Sequence, residues 1–306
     1  MMRLVALGKD ESIIEFICNI CNTNNRCVVQ ELAGEKPSCS KCGSSVRTRG
    51  LLQVLSMELF GLNLALPDFP RVKSLRGMGT SDQNEYAVRL AEKLDYRNTF
   101  YDREPRFDIA NPPEEEFGKY DFILSSEVFE HVPPPAEACF ENVFRLLKPA
   151  GVLVFTVPYS LDPVTAEHFP QLHEFALAQL GSRTVLVNRT REGQLQLFED
   201  LVFHSAAGGT VLEMREFSES GLKAALATAG FDSVRTCGED YRPFGIVRAH
   251  SWSLPIAARK GPFGLSLDAT RDVVEEWRSF KLKFNAEMQR LGRSYWFRLG
   301  RKLGFF

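Results

Sequence analysis

The sequence predicts an α/β fold, a doubly wound and mostly parallel sheet, with a small cysteine-bearing segment before it and a helix behind it. Two short apolar runs, residues 121–124 and 151–157, are typical of strands that are buried on both faces. Between them, apolar residues recur at helical spacing over residues 136–147, after three prolines and before a Pro-Ala-Gly turn. Strand, helix and strand in this order make two parallel strands joined by a right-handed crossover.

Polar residues follow the first of these strands directly. Ser125, Ser126, Glu127 and His131 come after the apolar run, where the strand ends. In an open parallel sheet, ligands bind outside the carboxyl ends of the strands. These four residues are therefore candidates for a functional site.

Composition narrows the class of protein. A chain of 306 residues with 44% hydrophobic and 25% charged residues can bury a sizeable core, as one main domain with appendages. No apolar run reaches the roughly 20 residues of a membrane span, and the N-terminal apolar stretch is too short for a signal peptide, which predicts a cytoplasmic location. The net charge of −2 gives no overall field that would gather nucleic acid, so a nucleic-acid partner is not favoured.

Four of the seven cysteines form two Cys-x2-Cys pairs, Cys18 with Cys21 and Cys39 with Cys42. This spacing is typical of a zinc ribbon in which four thiolates surround one Zn²⁺. A zinc with four protein ligands has no open position, so the predicted metal is structural. Unpaired thiols or two disulfides are the alternatives, and a cytoplasmic location argues against disulfides.

The chain divides into four predicted segments. They are a zinc ribbon over 1–46, a helix and linker over 47–70, a main domain over 71–260, and a C-terminal helix and tail over 261–306. Arg47 and Arg49 are expected to lie in solvent at the start of the helix, although either could touch an anionic ligand.

The region around the central crossover resembles the class I S-adenosylmethionine-dependent methyltransferases. Their fourth strand and the loop after it often read like DFILSSEVFEHV, and the next strand often follows a turn like LLKPAGVLVFTVP. The resemblance extends over roughly residues 71–260. It implies a Rossmann-like methyltransferase domain that binds S-adenosylmethionine along the carboxyl edge of the sheet, where Ser125 and Glu127 lie.

The resemblance also assigns the first strand and its turn. Gly77 and Gly79 match the glycine turn after strand one, where the backbone approaches the cofactor. The family's acidic residue before the first glycine is missing, because Leu75 occupies that position. Asp82 is expected either to supply this carboxylate or to be the N-cap of the next helix.

Further acidic residues complete the implied cofactor site. Strand two is predicted at residues 98–101, and Asp102 at its end would accept hydrogen bonds from the ribose hydroxyls. Asp108 and Ile109 would hold the adenine amino group and ring. A charged loop without a ligand is the alternative for this stretch.

An insertion, residues 160–215, separates strand five from the helix that Ser218 is predicted to cap. Its β-patterned runs indicate a substrate lid. If the acceptor is a hydroxyl, a base must take its proton, and histidine is the usual choice. His168 is the first candidate, with His131 and His204 behind it; a structural or surface histidine is the alternative for each.

The C-terminal segment combines an apolar helical stripe with a basic and aromatic tail. The stripe consists of Val273, Trp277, Phe280, Phe284, Met288 and Leu291. The tail that follows suits an anionic membrane surface, which would place the protein at the inner face of the membrane, or a partner protein. Docking on its own domain is the alternative.

These observations together predict an S-adenosylmethionine-dependent methyltransferase that O-methylates a sugar or surface-glycan precursor. The glycan acceptor follows from a resemblance of the tail to methyltransferases of bacterial surface-polysaccharide pathways. Two alternatives remain: an RNA methyltransferase that uses the ribbon to hold RNA, and a non-catalytic module that kept the fold and lost the cofactor.

Overall fold

The computed structural model describes residues 13–32, 35–206, 209–248, 250–251, 253–265 and 267–293. The helices are α1 (Val46–Phe60), α2 (Asn84–Lys93), α3 (Ala136–Leu146), α4 (Glu219–Thr228) and α5 (Leu267–Arg293). The strands are β1 (Ile13–Ile17), β2 (Asn24–Val28), β3 (Val72–Thr80), β4 (Leu94–Thr99), β5 (Tyr120–Ser126), β6 (Leu147–Thr156), β7 (Tyr159–Ser160), β8 (Ala166–Glu167), β9 (Glu174–Leu180), β10 (Arg183–Arg189), β11 (Leu195–Phe198), β12 (Phe203–Ala206), β13 (Gly209–Leu212), β14 (Arg215–Ser218), β15 (Ser233–Thr236) and β16 (Ile256–Arg259).

A six-stranded sheet forms the centre of the molecule, in the order β15-β16-β6-β5-β3-β4. The strands β4, β3, β5 and β6 run parallel, whereas β16 pairs antiparallel with β6 and β15 pairs antiparallel with β16. This topology confirms the predicted doubly wound, mostly parallel sheet.

Both faces of the sheet are covered, because alternate residues of β5 enter two different clusters. Phe122 and Leu124 belong to a cluster with residues of α1 and α2, whereas Ile123 packs on the other face with residues of α3 and α4. The start of α3 after residues 133–135 and the capping of α4 by Ser218, which accepts from the Gly221 amide at 3.0 Å, both agree with the sequence predictions. Burial on both faces explains why β5 and β6 are continuous apolar runs.

The cysteine-bearing segment is an antiparallel hairpin of β1 and β2 that packs on the main domain. Ile14 and Phe16 belong to the same buried cluster as α1 and the first face of the sheet. The Phe16 ring lies where a side chain at Gly245 would be, since a Cβ there would meet ring atoms at 2.5 Å. The hairpin therefore shares one core with the sheet.

The structure corrects three local predictions. Gly77 and Gly79 lie inside β3 and pair with β4 and β5, so they do not form the turn, which comes at Ser81 with a φ of 58°. The second strand of the domain is residues Leu94–Thr99, earlier than predicted, because it follows α2 directly. Arg49 is not in solvent: its side chain is buried and donates to the Ser44 and Gly245 carbonyls.

Residues of the insertion form small antiparallel sheets beside the main domain. The strands β9, β10 and β11 make one sheet and β12 pairs with β13. At the end of the insertion, β14 pairs parallel with β7 and antiparallel with β8. These pairings hold the end of the insertion against the segment that follows β6. The insertion is therefore folded, as its β-patterned runs predicted.

Among the described residues, the C-terminal helix α5 packs on the domain through its first turns. Ala269 is buried, and Asp272 accepts a hydrogen bond from the Ser74 amide at 3.2 Å. Beyond these turns the predicted apolar stripe is largely in solvent, with Trp277 and Phe280 59% and 64% exposed. The basic and aromatic tail lies outside the described residues. No described helix has the length and apolar character needed to cross a membrane.

Candidate functional site

Hydroxyl side chains line the carboxyl edge of the sheet across three neighbouring parallel strands. Thr80 at the end of β3 donates to Ser125 of β5 at 2.8 Å, and Ser126 lies 3.1 Å from the Thr156 hydroxyl at the end of β6. All four residues were brought together by strand register alone. This edge is the place where a parallel α/β sheet binds ligands.

A partly buried ion pair closes one side of this edge. Arg47, from the first turn of α1, lies 3.3 Å from the Glu127 carboxylate and donates to the Ser126 hydroxyl at 3.0 Å. The sequence predicted that Arg47 lies in solvent at the start of the helix. This prediction is wrong, because the Arg47 side chain is only 17% exposed. Burial raises the pKa of Glu127, and the Arg47 guanidinium opposes that effect. Glu127 has a φ of 56°, which turns the chain sharply after β5.

The two glycines of β3 are required by aromatic packing. A Cβ on Gly77 would lie 2.0 Å from the ring of Phe122, and a Cβ on Gly79 would lie within 1.9 Å of the Tyr96 hydroxyl. The rings of Tyr96 and Phe122 stack with their centroids 5.9 Å apart, above the glycine that pairs with both. The glycines thus make room for two rings across the sheet face.

Asp82 is enclosed beside these rings. Its carboxylate accepts hydrogen bonds from Tyr86 at 2.8 Å and from Tyr96, and its side chain is almost fully buried. The N-cap of α2 is Gln83, so the capping role considered for Asp82 is wrong. Burial raises the pKa of Asp82 to about 7, against the two tyrosine hydrogen bonds that lower it. A carboxylate held in this way is not free to meet a cofactor.

The other predicted cofactor residues lie on the loop between β4 and β5. Asp102 is exposed, three residues beyond the end of β4. Asp108 accepts hydrogen bonds from the Ala110 amide at 2.9 Å and from the Asn111 side chain at 3.1 Å, and Ile109 is buried beside it. Asp102 is the one of these carboxylates that is fully open to a ligand.

The three candidate histidines converge at one site, where the insertion meets the loop after β5. His168 lies 2.8 Å from one oxygen of Glu213 through its Nε2 atom, and His204 lies 2.5 Å from the other oxygen through its own Nε2. His131 packs against His204 with the ring centroids 5.1 Å apart. Glu213, which the sequence analysis missed, is the residue that joins two of the histidines.

Beneath these histidines lies Glu130, also missed in the sequence. It is completely buried, and no hydrogen-bond partner is found for either carboxylate oxygen among the described residues. Burial first, and then the charge of Glu127, raise its pKa well above the ordinary value. Burial also lowers the pKa of His131, whose Nδ1 lies 2.9 Å from the Leu212 carbonyl. The Glu-His pair in the run EVFEHV was the available sequence signal.

Arg215 holds the insertion against the loop after β5. Its buried guanidinium lies 2.5 Å from Glu167 and donates to the carbonyls of Phe129 and Val132 at 2.9 and 2.7 Å. These carbonyls flank Glu130 and His131, so Arg215 fixes the turn that carries both residues. The Met214 amide adds a hydrogen bond to the Glu130 carbonyl at 2.8 Å.

The four ribbon cysteines also come together. The sulfur of Cys18 lies 3.6 Å from that of Cys42, and the sulfur of Cys21 lies 3.5 Å from that of Cys39. A disulfide needs about 2.05 Å, whereas two sulfurs bound to one tetrahedral zinc at about 2.3 Å stand roughly 3.8 Å apart. The cluster therefore fits a zinc ion, and none of its four cysteines is in a disulfide. The buried Arg49 lies beside it, where the thiolates oppose the lowering of its pKa by burial.

A cavity of about 320 Å³ lies at the opposite, amino edge of the sheet. Its charged lining is internally paired, since Lys148 lies 2.7 Å from Asp121 and Arg259 pairs with Glu58. The amino edge is not where this fold class binds ligands. The polar edge and the histidine cluster are therefore the better candidate site.

Comparisons with known proteins agree with this architecture. The sequence model of the family described as "Methyltransferase domain" matches residues 62–236, more than half of the chain. A curated relative, the ubiquinone biosynthesis O-methyltransferase of Xanthomonas oryzae pv. oryzae, is 27% identical over 148 residues, 46% of this chain and 53% of the relative. The chain thus spans about half the length of the curated relatives it matches.

Two solved structures can be compared with the chain. A 1,6-didemethyltoxoflavin-N1-methyltransferase of Burkholderia thailandensis with bound S-adenosylhomocysteine is 16% identical, with 61% of this chain and 71% of that chain covered and a TM-score of 0.33. CalS10, an amino pentose methyltransferase from Micromonospora echinaspora, is 14% identical, with 71% and 92% covered and a TM-score of 0.37. On the match of the family model, the chain belongs to the family of class I S-adenosylmethionine-dependent methyltransferase domains.

Proposed function

We propose that this protein transfers the methyl group of S-adenosylmethionine to a hydroxyl of a small acceptor, a sugar or surface-glycan precursor. The observation that carries the proposal is the convergence of His168, His204 and Glu213 on one site beside the loop after β5. A histidine that donates to a carboxylate and has its other ring nitrogen available is the usual arrangement of a general base.

The hydroxyl acceptor follows from the chemistry of this cluster. Bound S-adenosylmethionine supplies an electrophilic methyl group, and most of the catalysis can come from holding the acceptor oxygen close to it. Glu213 accepts a hydrogen bond from Nε2 of His168, which leaves Nδ1 as the basic atom. His168 would take the acceptor proton, while the bound cofactor would supply the methyl group and would leave as the neutral thioether.

Two further observations support this assignment. The curated relatives are named O-methyltransferases, which agrees with a hydroxyl acceptor. His168, His204 and Glu213 all belong to the insertion, so a segment that covers the acceptor would also carry the base. The net charge of −2 and the pattern of the tail favour a glycan precursor over RNA.

The cofactor would lie along the carboxyl edge of the sheet. Asp102 is free to accept from ribose hydroxyls, and Ser125 and Glu127 lie at the end of β5. Asp108 and Ile109 form the loop proposed to hold the adenine. The enclosure of Asp82 between two tyrosines gives it a supporting role behind the site.

The ribbon would hold one structural zinc through Cys18, Cys21, Cys39 and Cys42. Four thiolates leave no position for water or substrate, so this metal would stabilise the fold and take no part in methyl transfer. Its support is the spacing of the sulfur atoms, 3.5 and 3.6 Å in the two closest pairs.

The proposed function is tested by the rate of methyl transfer from labelled S-adenosylmethionine to acceptors in a cell-envelope extract. His168→Ala should slow transfer by roughly 10² to 10⁴ and leave cofactor affinity, measured by calorimetry, unchanged. His173→Ala is the matched control, because His173 is exposed and lies outside the cluster. A rate for His168→Ala within a few-fold of the wild type removes His168 from the mechanism.

A non-catalytic binding module is the second candidate. The observation that favours it is that the side chains of Phe122 and Tyr96 fill the space beside Gly77 and Gly79, where the cofactor was expected to approach the backbone. This candidate predicts no binding of S-adenosylmethionine to the purified chain. A single calorimetric titration separates the two candidates, because the enzyme must bind the cofactor.

A further inference from the structure

We propose that Glu130, His131 and His204 form a second metal site, for a divalent first-row transition metal, separate from the cysteine cluster. One ligand atom from each of the three residues lies within 4.8 Å of the others. Two imidazoles and one carboxylate are a ligand set suited to iron, zinc or related ions. The site does not depend on the proposed methyl transfer.

The polar neighbours of the two imidazoles leave one nitrogen of each ring, Nε2 of His131 and Nδ1 of His204, with a lone pair that could bind a metal ion. A backbone carbonyl can only accept, so His131 donates from Nδ1 to Leu212 at 2.9 Å and its Nε2 carries a lone pair. Nε2 of His204 lies 2.5 Å from the Glu213 carboxylate, whose charge favours a proton on that nitrogen and leaves the lone pair on Nδ1. A ligating histidine commonly gives its other N–H to a carbonyl or a carboxylate in this way.

Both free nitrogens face the same carboxylate oxygen. Oε1 of Glu130 lies 3.7 Å from Nε2 of His131 and 4.0 Å from Nδ1 of His204, too far for hydrogen bonds. Two ligands bound tetrahedrally at about 2.0 Å stand roughly 3.3 Å apart, so a contraction of about 0.4 and 0.7 Å would bring these two distances to coordination geometry.

Glu130 supplies an independent reason for a bound ion. Its side chain is 0% exposed, and neither oxygen has a hydrogen-bond partner among the described residues. A buried carboxylate without a partner is costly unless a proton or a cation neutralises it. Arg47, whose positive charge acts on Glu130, is already engaged with Glu127 and Glu35. The two imidazole nitrogens that lie 3.7 and 4.0 Å from Oε1 could share a metal ion with this carboxylate, which a proton would not require.

The site has the open form of a catalytic metal centre. Three protein ligands leave at least one position for an oxygen ligand, in contrast to the four thiolates of the ribbon. His204 is 31% exposed in its side chain, which gives an ion a path from solvent. Glu213 orients His204 and also holds His168, so the metal and the proposed base would share one positioning residue.

The test is a titration with Co²⁺, followed by visible absorption, of full chain that carries one equivalent of zinc, enough for the cysteine cluster alone. We expect one equivalent to bind with ligand-field bands and without the sulfur-to-cobalt charge transfer that marks the cysteine cluster. Glu130→Gln should weaken binding by at least about 100-fold, and Glu213→Gln, which removes only an orienting bond, by about 10- to 100-fold. His173→Ala should bind as the wild type does, since its imidazole is exposed elsewhere.

Two results would overturn the proposal: no cobalt bound by the wild type beyond the thiolate site, or unchanged affinity in Glu130→Gln. Circular dichroism checks that each variant is folded. If Glu130→Gln does not fold, His204→Ala carries the same test, because its partly exposed side chain can be removed without opening the core. Binding by His204→Ala as tight as by the wild type would then refute the site.

Discussion

Asp82 should make the stability of the protein depend on pH in a direction opposite to that of an ordinary carboxylate. Its pKa is about 7 in the folded protein, against an ordinary value of 3.8. The difference of about three pH units corresponds to about 4 kcal/mol at 1.36 kcal/mol per unit. Because the folded state holds the proton more tightly, the free energy of unfolding falls as the pH rises from about 4 to 7 and then levels off.

The substitution Asp82→Asn isolates this effect. The amide resembles the protonated acid and keeps hydrogen bonds with Tyr86 and Tyr96, so it carries no penalty at high pH. Urea unfolding at pH 5, 6, 7 and 8 should show the variant gaining about 2 to 3 kcal/mol on the wild type between pH 5 and pH 8, because the rest of the difference arises below pH 5. Asp95→Asn, at a carboxylate on β4 that is 59% exposed, is the control.

A difference between Asp82→Asn and wild type that stays constant from pH 5 to 8 would refute the reasoning, because it would mean that Asp82 ionises normally in the folded state. The same variant also reports on the cofactor. Since Asp82 is enclosed by tyrosines, affinity for S-adenosylmethionine should change little at pH 5. A large loss would show that the carboxylate leaves the tyrosines to meet the cofactor.

Three further perturbations test separate parts of the structure. Replacing Cys39 and Cys42 together by serine should reduce bound zinc by one equivalent in metal analysis and lower the melting temperature, since the proposed ion would hold the hairpin in place. Gly77→Ala should lower the free energy of unfolding by about 1–3 kcal/mol in urea, because its Cβ would lie 2.0 Å from the Phe122 ring. Asp102→Ala should weaken cofactor binding by about 1–3 kcal/mol in calorimetry.

Each of these has a contrary outcome. Zinc content that is unchanged by the double cysteine substitution would move the metal away from the ribbon. Wild-type stability in Gly77→Ala would mean that the Phe122 ring can rotate aside freely, and Gly264→Ala, where a Cβ would find its nearest neighbour at 3.8 Å, is the control for the loss of a glycine. If Asp102→Ala binds S-adenosylmethionine as tightly as the wild type, Asp102 does not bind the cofactor and belongs to a charged loop without a ligand.

The sheet could be predicted from the sequence because β5 and β6 are buried on both faces, and such strands consist of continuous apolar runs. The helix α3 could be predicted for a similar reason, since prolines precede it and its apolar residues follow one period. The cysteine cluster could also be predicted, because each Cys-x2-Cys pair is a local pattern in the sequence.

The site was less predictable, because its contacts join distant parts of the chain. Glu130 and His204 are 74 positions apart and meet only when the insertion folds onto the loop after β5. The turn predicted at Gly77 and Gly79 was wrong for a related reason. These glycines lie inside β3 and make room for the rings of Tyr96 and Phe122, which come from other strands. No local pattern reports a contact across three strands.

The most direct test of the proposed function is the fate of an isotopic methyl label. Purified wild-type chain, labelled S-adenosylmethionine and a bacterial lysate should give label in the cell-envelope glycan-precursor fraction, with at least about 100-fold less from His168→Ala under the same conditions. Label found in the RNA fraction, or equal incorporation by both proteins, would contradict the account.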